Sequence, residues 1–257
     1  MKGLILIFIS ILTVSIALWL PAISQDPEYH NFADQVEILG IPNFLNVMSN
    51  FLFLWVGLIG VRFVLVSQQV FNGRVIQNIY LVFFIAVIFV GLGSAYYHLS
   101  PDNLTLIWDR LPMSIAFMSF FIVILYEYVS KKLAFKLALP LLMSGLLSVV
   151  YWYWSELQGH GDLRFYGVVQ FLPLVLIPVI LLSYSSRIKK TWLLWALLGF
   201  YLVAKVFELM DYPVYQLTQF VSGHTIKHLV SAGGPYMLYL VLNDLEINSC
   251  SEKSDEF

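Results

Sequence analysis

The chain has 257 residues, of which 60% are hydrophobic and 12% are charged, and its mean hydropathy is +0.80. The charged fraction is about half of that in soluble globular domains, which excludes a disordered chain and argues against a water-soluble fold. The formal net charge of −2 gives no indication of a nucleic-acid partner, and the single cysteine, Cys250, excludes an intrachain disulfide and a cysteine-based metal cage.

Runs of mainly apolar residues recur along the chain, each close to the ~20 residues that a helix needs to cross a bilayer. Eight such runs are present, and polar or turn residues separate them. The sequence therefore predicts an all-α fold, a polytopic membrane helical bundle of seven core transmembrane helices preceded by one additional segment. The runs cover residues 3–21, 43–66, 77–98, 110–129, 133–154, 165–184, 191–209 and 224–242.

The first run has two interpretations. Lys2 and the small residues of Ala22-Ile23-Ser24 are typical of a cleaved signal peptide, whereas the length of the apolar stretch favours a retained helix. We therefore divide the chain into an N-terminal transmembrane helix or signal segment (1–22), a seven-helix membrane domain (23–242) and a polar cytoplasmic tail (243–257).

Basic residues are unevenly shared between alternate loops, with nine on one side and two on the other. The positive-inside rule then places both termini in the cytoplasm and the loops at 22–42, 99–109, 155–164 and 210–223 outside. This pattern and the short loops suit a multi-pass protein of a bacterial plasma membrane. The nine are Lys2, Arg62, Arg74, Lys131, Lys132, Lys136, Arg187, Lys189 and Lys190, and the two are Arg110 and Arg164.

Residues with catalytic potential gather at the predicted outer ends of three spans. Ser94 and His98 end the third span, Asp109 opens the fourth, and His224 and His228 open the last. Two histidines spaced i,i+4 share one helical face and can bind one metal ion. A third histidine completes the ligand set of catalytic zinc, which leaves one position open for water.

Zinc in such a site lowers the pKa of its water to about 7 and so supplies hydroxide at neutral pH. Asp109 would then move the proton, and Ser94 would stabilise the developing oxyanion. The competing interpretation is that His224 and His228 are polar residues that pack helices together. A haem or quinone protein is less favoured, because the histidines lie at one membrane level.

A second polar group lies near the outer end of the second span. Asn43, Asn46 and Asn50 share one helical face, and interhelical hydrogen bonding is favoured over contact with substrate. Asn46 and Asn50, together with Tyr97 and Trp108 beside the candidate catalytic residues, are nevertheless our candidates for a substrate pocket.

Three sequence blocks together resemble the signatures of the alkaline ceramidase family, whose wider superfamily includes the adiponectin and progestin receptors. The block Asn46-Val47-Met48-Ser49-Asn50 is similar to the one that opens the first core helix of that family. The resemblance extends over residues 26–242. The three signature blocks are Gly93-Ser94-Ala95-Tyr96-Tyr97-His98, Asp109 with Leu111-Pro112-Met113, and His224-Thr225-Ile226-Lys227-His228.

The resemblance implies an amidohydrolase of sphingolipid metabolism that cleaves ceramide into a sphingoid base and a fatty acid. It implies three zinc ligands, His98, His224 and His228, with Asp109 for proton transfer and Ser94 for the oxyanion or water. Eukaryotic members also carry an acidic calcium site before the first core helix. Residues 26–34 are acidic here, but their spacing departs from that pattern and Asn43 stands where glutamate is expected, so calcium stays an open alternative.

We therefore expect a zinc-dependent hydrolase of a ceramide-like N-acyl lipid, an enzyme that acts on linear amides and takes its substrate from the membrane. The alternative is a non-enzymatic lipid-binding or receptor-type protein that keeps the zinc site for structural reasons. The pair Asp109-Arg110 stands where many ceramidases have Asp-Glu, which bears on the substrate more than on the chemistry.

Overall fold

Helices form nearly all of the regular structure in residues 2–254, the part of the chain that the computed structural model describes, with side chains described as far as residue 248. This range holds no strand, only one bridge between Ile38 and Ile41, so the predicted all-α fold is confirmed. The helices are α1 (Lys2–Trp19), α2 (Phe44–Met48), α3 (Phe51–Val66), α4 (Arg74–Leu99), α5 (Asn103–Ile124), α6 (Lys131–Leu157), α7 (Arg164–Ser183), α8 (Trp192–Leu209), α9 (Asp211–Thr218), α10 (Gly223–Ser231) and α11 (Gly233–Ser254).

Seven helical stretches in residues 2–254 are long and apolar enough to cross a membrane, which confirms a polytopic membrane bundle. They are α1, α2 with α3 (Phe44–Val66), α4, α5 with the π-helical turn that follows it (Asn103–Val129), α6, α7 and α8.

The predicted span at 224–242 is broken into two helices, α10 and α11. The run Gly233-Gly234-Pro235 lies at the break, where Pro235 lacks a backbone N–H and suits the first turn of a new helix. The second helix then continues past residue 242 as far as Ser254, so the predicted tail begins as helix. Asp244, on this extension, forms an ion pair with Lys190 at 2.8 Å.

The fifth helix begins well before the predicted residue 110. Asp102 caps it, since its carboxylate accepts a hydrogen bond from the Thr105 backbone N–H at 2.7 Å while the Thr105 hydroxyl accepts one from the Asp102 N–H at 3.1 Å. This reciprocal capping box satisfies two N–H groups that the first turn leaves free. Asp109 therefore lies in the second turn of α5 rather than at its opening.

The centre of the bundle is α4, which packs against α3 on one side and α5 on the other. In contrast, α1 lies at the periphery, where it packs against α7 and buries none of its residues. Its two ends are tied to α7: the Lys2 ammonium donates to the Ser183 carbonyl, and the Arg164 guanidinium donates to the Leu20 carbonyl at 2.7 Å.

The segment from residue 20 to residue 43 crosses the end of the bundle that carries the candidate site. Four contacts hold it in place: Ile23 carbonyl to Leu163 N–H (2.8 Å), Gln25 N–H to Glu156 (2.7 Å), His30 to the Tyr97 hydroxyl (2.9 Å) and Ala33 N–H to Asp211 (2.9 Å). Phe32, in the same segment, lies directly against two histidine rings. Its ring centroid is 4.6 Å from that of His98 and 4.3 Å from that of His224. The segment therefore closes this end of the bundle over the histidines.

Candidate metal centre and active site

Two helices supply the three histidines of the site. His98 lies in the last turn of α4, and His224 and His228 lie four residues apart on α10. Local interactions fix where α10 begins: the Ser222 hydroxyl caps the helix by accepting from Thr225 N–H at 3.1 Å, and an Asp211 carboxylate oxygen accepts from His224 N–H at 2.8 Å. The short helix is thus held by its first turn.

The histidine side chains converge in the interior of the protein. Their exposed fractions are only 1% for His98, 4% for His224 and 3% for His228. One nitrogen from each lies within 4.8 Å of the others, and the Nε2 atoms of His98 and His224 are 3.2 Å apart. Among residues 2–248, whose side chains the structure describes, this is the one group of three or more His, Cys, Asp or Glu side chains close enough to hold a metal ion.

Hydrogen bonds around His228 prepare one nitrogen to bind a metal. Its Nδ1 lies 2.8 Å from the Ser49 hydroxyl, which in turn donates to the Asn46 carbonyl at 3.1 Å. Because that hydroxyl proton is used on Asn46, the Ser49 oxygen accepts from the Nδ1–H of His228, which leaves the Nε2 lone pair free. The Nε2 atom is buried and has no hydrogen-bond partner in the described part of the chain. Three converging, buried imidazoles, with an unpaired nitrogen on His228 and another on His98, fit a zinc ion.

Ser94 and Asp109 lie beside this cluster. The Ser94 hydroxyl is close to the Asp109 carboxyl, and both residues line the same cavity as His228. The approach of α4 to α5 depends on Gly93, where a Cβ atom would overlap the Trp108 carbonyl. The five residues singled out in the sequence therefore meet at one end of the bundle.

The cavity has a volume of about 590 Å³ and is mostly apolar. Its polar residues gather at the end that holds Ser94, Asp109 and His228, and α1 contributes one wall through Ile16, among others. The hydropathy of the sequence does not predict that α1 lines this cavity. The apolar lining includes Phe53, Phe83, Val87, Val90, Met113, Phe117, Phe120 and Phe171.

Asn46, Asn50, Tyr97 and Trp108, predicted to form a substrate pocket, lie outside this cavity lining. Asn46 is buried and accepts from the Thr225 hydroxyl at 2.8 Å, so it joins α2 to α10. Asn50 donates to the Asn46 carbonyl at 2.8 Å. The Tyr97 hydroxyl contacts His30, and the Trp108 side chain points out of the bundle with 57% of its surface exposed. Adjacent residues on a helix project ~100° apart, so proximity to Asp109 in sequence does not bring Trp108 to the site.

Lys227 is a further residue of the site that the sequence analysis did not select. Its ammonium nitrogen lies 2.9 Å from the His224 Nε2 and 3.6 Å from a Glu208 carboxylate oxygen. Glu208 also pairs with Lys205. The sequence did contain a signal for Lys227. This residue lies three positions after His224 within the HxxxH motif, and residues at i,i+3 are neighbours on a helix.

The acidic residues 26–34 do not form a comparable group of ligands in the described structure. Asp26 accepts from Glu28 N–H at 3.0 Å and caps a short 3-10 helix, Pro27–His30. Asp34 accepts from Val36 N–H at 3.1 Å, and burial raises the pKa of its carboxyl. Both carboxylates therefore stabilise local turns, and we do not propose a calcium site here.

Comparison with known sequences identifies the family of this chain. No individual curated protein matches it, but the family model described as Ceramidase matches residues 38–257. The matched region begins after α1 and contains all five residues of the candidate site. Since this match covers most of the sequence, the chain belongs to the ceramidase family.

Proposed function

We propose that the protein is a zinc-dependent hydrolase that cleaves the amide bond of a membrane N-acyl lipid, releasing a long-chain amine and a fatty acid. The observation that carries this proposal is the buried cluster of His98, His224 and His228, whose free nitrogen on His228 lies at the polar end of an apolar cavity. The family match supports the same type of reaction.

The three histidines would hold the zinc ion. When bound, zinc acts as a Lewis acid and lowers the pKa of a coordinated water. The Asp109 carboxylate would take a proton from the attacking water and later deliver it to the leaving nitrogen. The Ser94 hydroxyl, beside Asp109, would donate a hydrogen bond to the carbonyl oxygen as negative charge develops there. Ser49 would keep His228 in its metal-binding tautomer.

The apolar part of the cavity suits an acyl chain. Along α5, the lining runs from Asp109 through Met113 and Phe117 to Phe120. At about 1.5 Å per residue this stretch is roughly 17 Å long. Each methylene transferred from water to such a surface contributes about 0.8 kcal/mol, so chain burial would anchor the lipid while its amide reaches the polar end.

We also propose that this end of the bundle faces outward, in the plasma membrane of a bacterium. The loop charges support this orientation, because nine basic residues are expected on the opposite side. Single cysteines placed in residues 155–163 and 185–190 of a C250S background should then differ in labelling. An impermeant maleimide added to intact cells should label only the first group.

The reaction itself is tested by incubating purified protein with N-acyl lipids and measuring fatty acid release by mass spectrometry. We expect release that a chelator abolishes and added zinc restores. Lipid binding without product would instead support the receptor-type alternative on the same scaffold.

A further inference from the structure

Arg110 is a buried cation on the cavity wall without an anionic partner. Only 6% of its surface is exposed, and no carboxylate in the described residues lies within ion-pair distance of its guanidinium. Its Nη2 atom donates to the Gln25 side-chain carbonyl at 2.6 Å. The Nη1 atom is buried and has no hydrogen-bond partner among the residues whose side chains the structure describes, 2–248.

Aromatic rings surround the guanidinium group. Its central carbon lies 4.3 Å from the Trp152 ring centroid, 5.0 Å from that of Tyr166 and 5.4 Å from that of Tyr29. Cation–π attraction to these rings reduces the cost of burying the charge. The rings carry no net charge, however, so they do not balance the positive charge of the guanidinium as a carboxylate would. The rings and Gln25 therefore hold the group in place but leave its charge without a carboxylate partner.

The other cations that line the cavity differ from Arg110, because each has a carboxylate partner. Arg164 binds Asp162 at 2.7 Å, and both Lys205 and Lys227 pair with Glu208. Breaking or omitting the partner of a buried charge is strongly unfavourable in proteins. Because Arg110 has no anionic partner, we infer that this position on the cavity wall binds an anionic ligand.

Position within the cavity indicates which part of a lipid would meet Arg110. The residue follows Asp109, and Gln25 and Tyr29 come from the segment that crosses the end of the bundle. The apolar lining of α5 begins one turn further on, with Met113. An acyl chain along Met113 and Phe120 would thus leave the amine portion of the lipid beside Arg110.

We propose that Arg110 binds a carboxylate on the amine portion of the substrate, so that the enzyme hydrolyses N-acyl amino acids in preference to neutral N-acyl amides. This inference rests on the proposed amidase function, and it replaces the long-chain amine product of that proposal with an amino acid. Before cleavage, the acyl portion of a lipid amide carries no charge, so an anion that binds with the substrate must belong to the amine portion. A planar guanidinium matches a carboxylate well, since it can donate two parallel N–H groups.

The test compares two substrates of equal chain length, N-dodecanoylglycine and N-dodecanoylethanolamine, with zinc-loaded protein. We expect kcat/KM to be at least tenfold higher for the glycine conjugate. In Arg110→Gln, kcat/KM for the glycine conjugate should fall by about 10- to 100-fold, the usual effect of losing a hydrogen bond to a charged group. The value for the ethanolamide should change less than about threefold, because a neutral head group gains little from a charge. Arg110→Lys should recover part of the preference.

Controls separate a binding role from a folding role. Arg74→Gln removes an exposed arginine at the other end of the bundle and should leave both kcat/KM values unchanged. Zinc content and melting temperature are measured for every variant. Equal wild-type rates on the two amides, or equal losses in Arg110→Gln, would overturn the proposal.

Two further results also decide the matter. The released fatty acid is a carboxylate too, so inhibition by dodecanoate is measured in parallel. If Arg110→Gln weakens that inhibition without altering substrate preference, Arg110 binds the fatty acid product and the proposed substrate class is wrong.

If the wild type cleaves neither amide, the amidase function fails, and calorimetry then decides whether Arg110 binds carboxylate lipids. Tighter binding of the glycine conjugate than of the ethanolamide, lost in Arg110→Gln, would uphold the anion site, and equal binding would reject it.

Discussion

The backbone of Gly93 on α4 lies directly against the carbonyl of Trp108 on α5, at a separation that leaves no room for a Cβ atom. Each of these residues immediately precedes a residue of the candidate active site, Ser94 on one helix and Asp109 on the other. The contact therefore sets the distance between the two groups that we assign to proton transfer and oxyanion stabilisation.

Replacing Gly93 with alanine should force the two helices apart. Overpacking of this kind costs about 1–3 kcal/mol of unfolding free energy, and shifts of about 1 Å at a catalytic group lower turnover about 100-fold. We expect a lower melting temperature and a loss of amide hydrolysis of at least tenfold. Gly199→Ala is the matched control, because no atom lies within 4 Å of a Cβ built there. An unchanged rate in Gly93→Ala would show that the contact does not position the site.

Ser49→Ala should weaken metal binding without removing a ligand. Loss of the 2.8 Å contact to His228 Nδ1 frees the imidazole to change tautomer and orientation. Such outer-shell changes lower metal affinity by about 10- to 100-fold, which competition with a chelator measures. Ser148→Ala serves as control, since that buried hydroxyl bonds within its own helix, to the Gly145 carbonyl. Equal zinc affinity in Ser49→Ala and wild type would contradict the account of His228.

Asp109→Asn should separate metal binding from catalysis. The amide keeps the shape of the side chain but cannot accept a proton, and the loss of a general acid–base group lowers turnover by about 10²- to 10⁴-fold. Zinc content should stay at the wild-type level, as measured by mass spectrometry of the metal. If zinc is lost together with activity, Asp109 has a structural role instead.

Asp162 should contribute to stability with a defined dependence on pH. Its hydrogen bonds to Arg164 lower the pKa of the carboxyl to about 2, from 3.8 for the free side chain. A group with a depressed folded-state pKa stabilises the protein above its unfolded-state pKa, and this contribution is lost as pH falls through the folded-state value. The difference in melting temperature between wild type and Asp162→Asn should therefore be constant from about pH 8 to pH 5 and shrink below about pH 4. A difference that varies between pH 8 and pH 5 would assign the effect to another group.

Much of the fold follows from hydropathy alone. Apolar runs located the membrane-crossing helices because a bilayer demands a minimum length of apolar sequence. The break before Gly233 was missed because α10 and α11 form one apolar run, although the Gly-Gly-Pro sequence was visible. The early start of α5 at Asn103 was missed because the charged pair Asp109-Arg110 interrupts its apolar run, and the capping pair of Asp102 and Thr105 was the signal that marked the true start.

The candidate site was predictable to the extent that its chemistry uses rare residues. Histidines and carboxylates at span ends stand out in an apolar sequence, because charged groups are costly there. Substrate-contacting residues do not stand out in this way. Trp108 was chosen because it neighbours Asp109, yet it faces out of the bundle, whereas the cavity wall includes Ile16 from a helix remote in sequence. Only packing determines which apolar side chains share a cavity.

Zinc analysis of the purified protein tests the central claim most directly. Wild type is compared with His98→Ala, His224→Ala and His228→Ala, each checked for folding, and fatty acid release from N-acyl lipids is measured on the same samples. The proposal predicts about one zinc ion per wild-type chain, and loss of both zinc and hydrolysis in each variant. A folded wild-type protein that hydrolyses lipid amides while containing no stoichiometric zinc would contradict it.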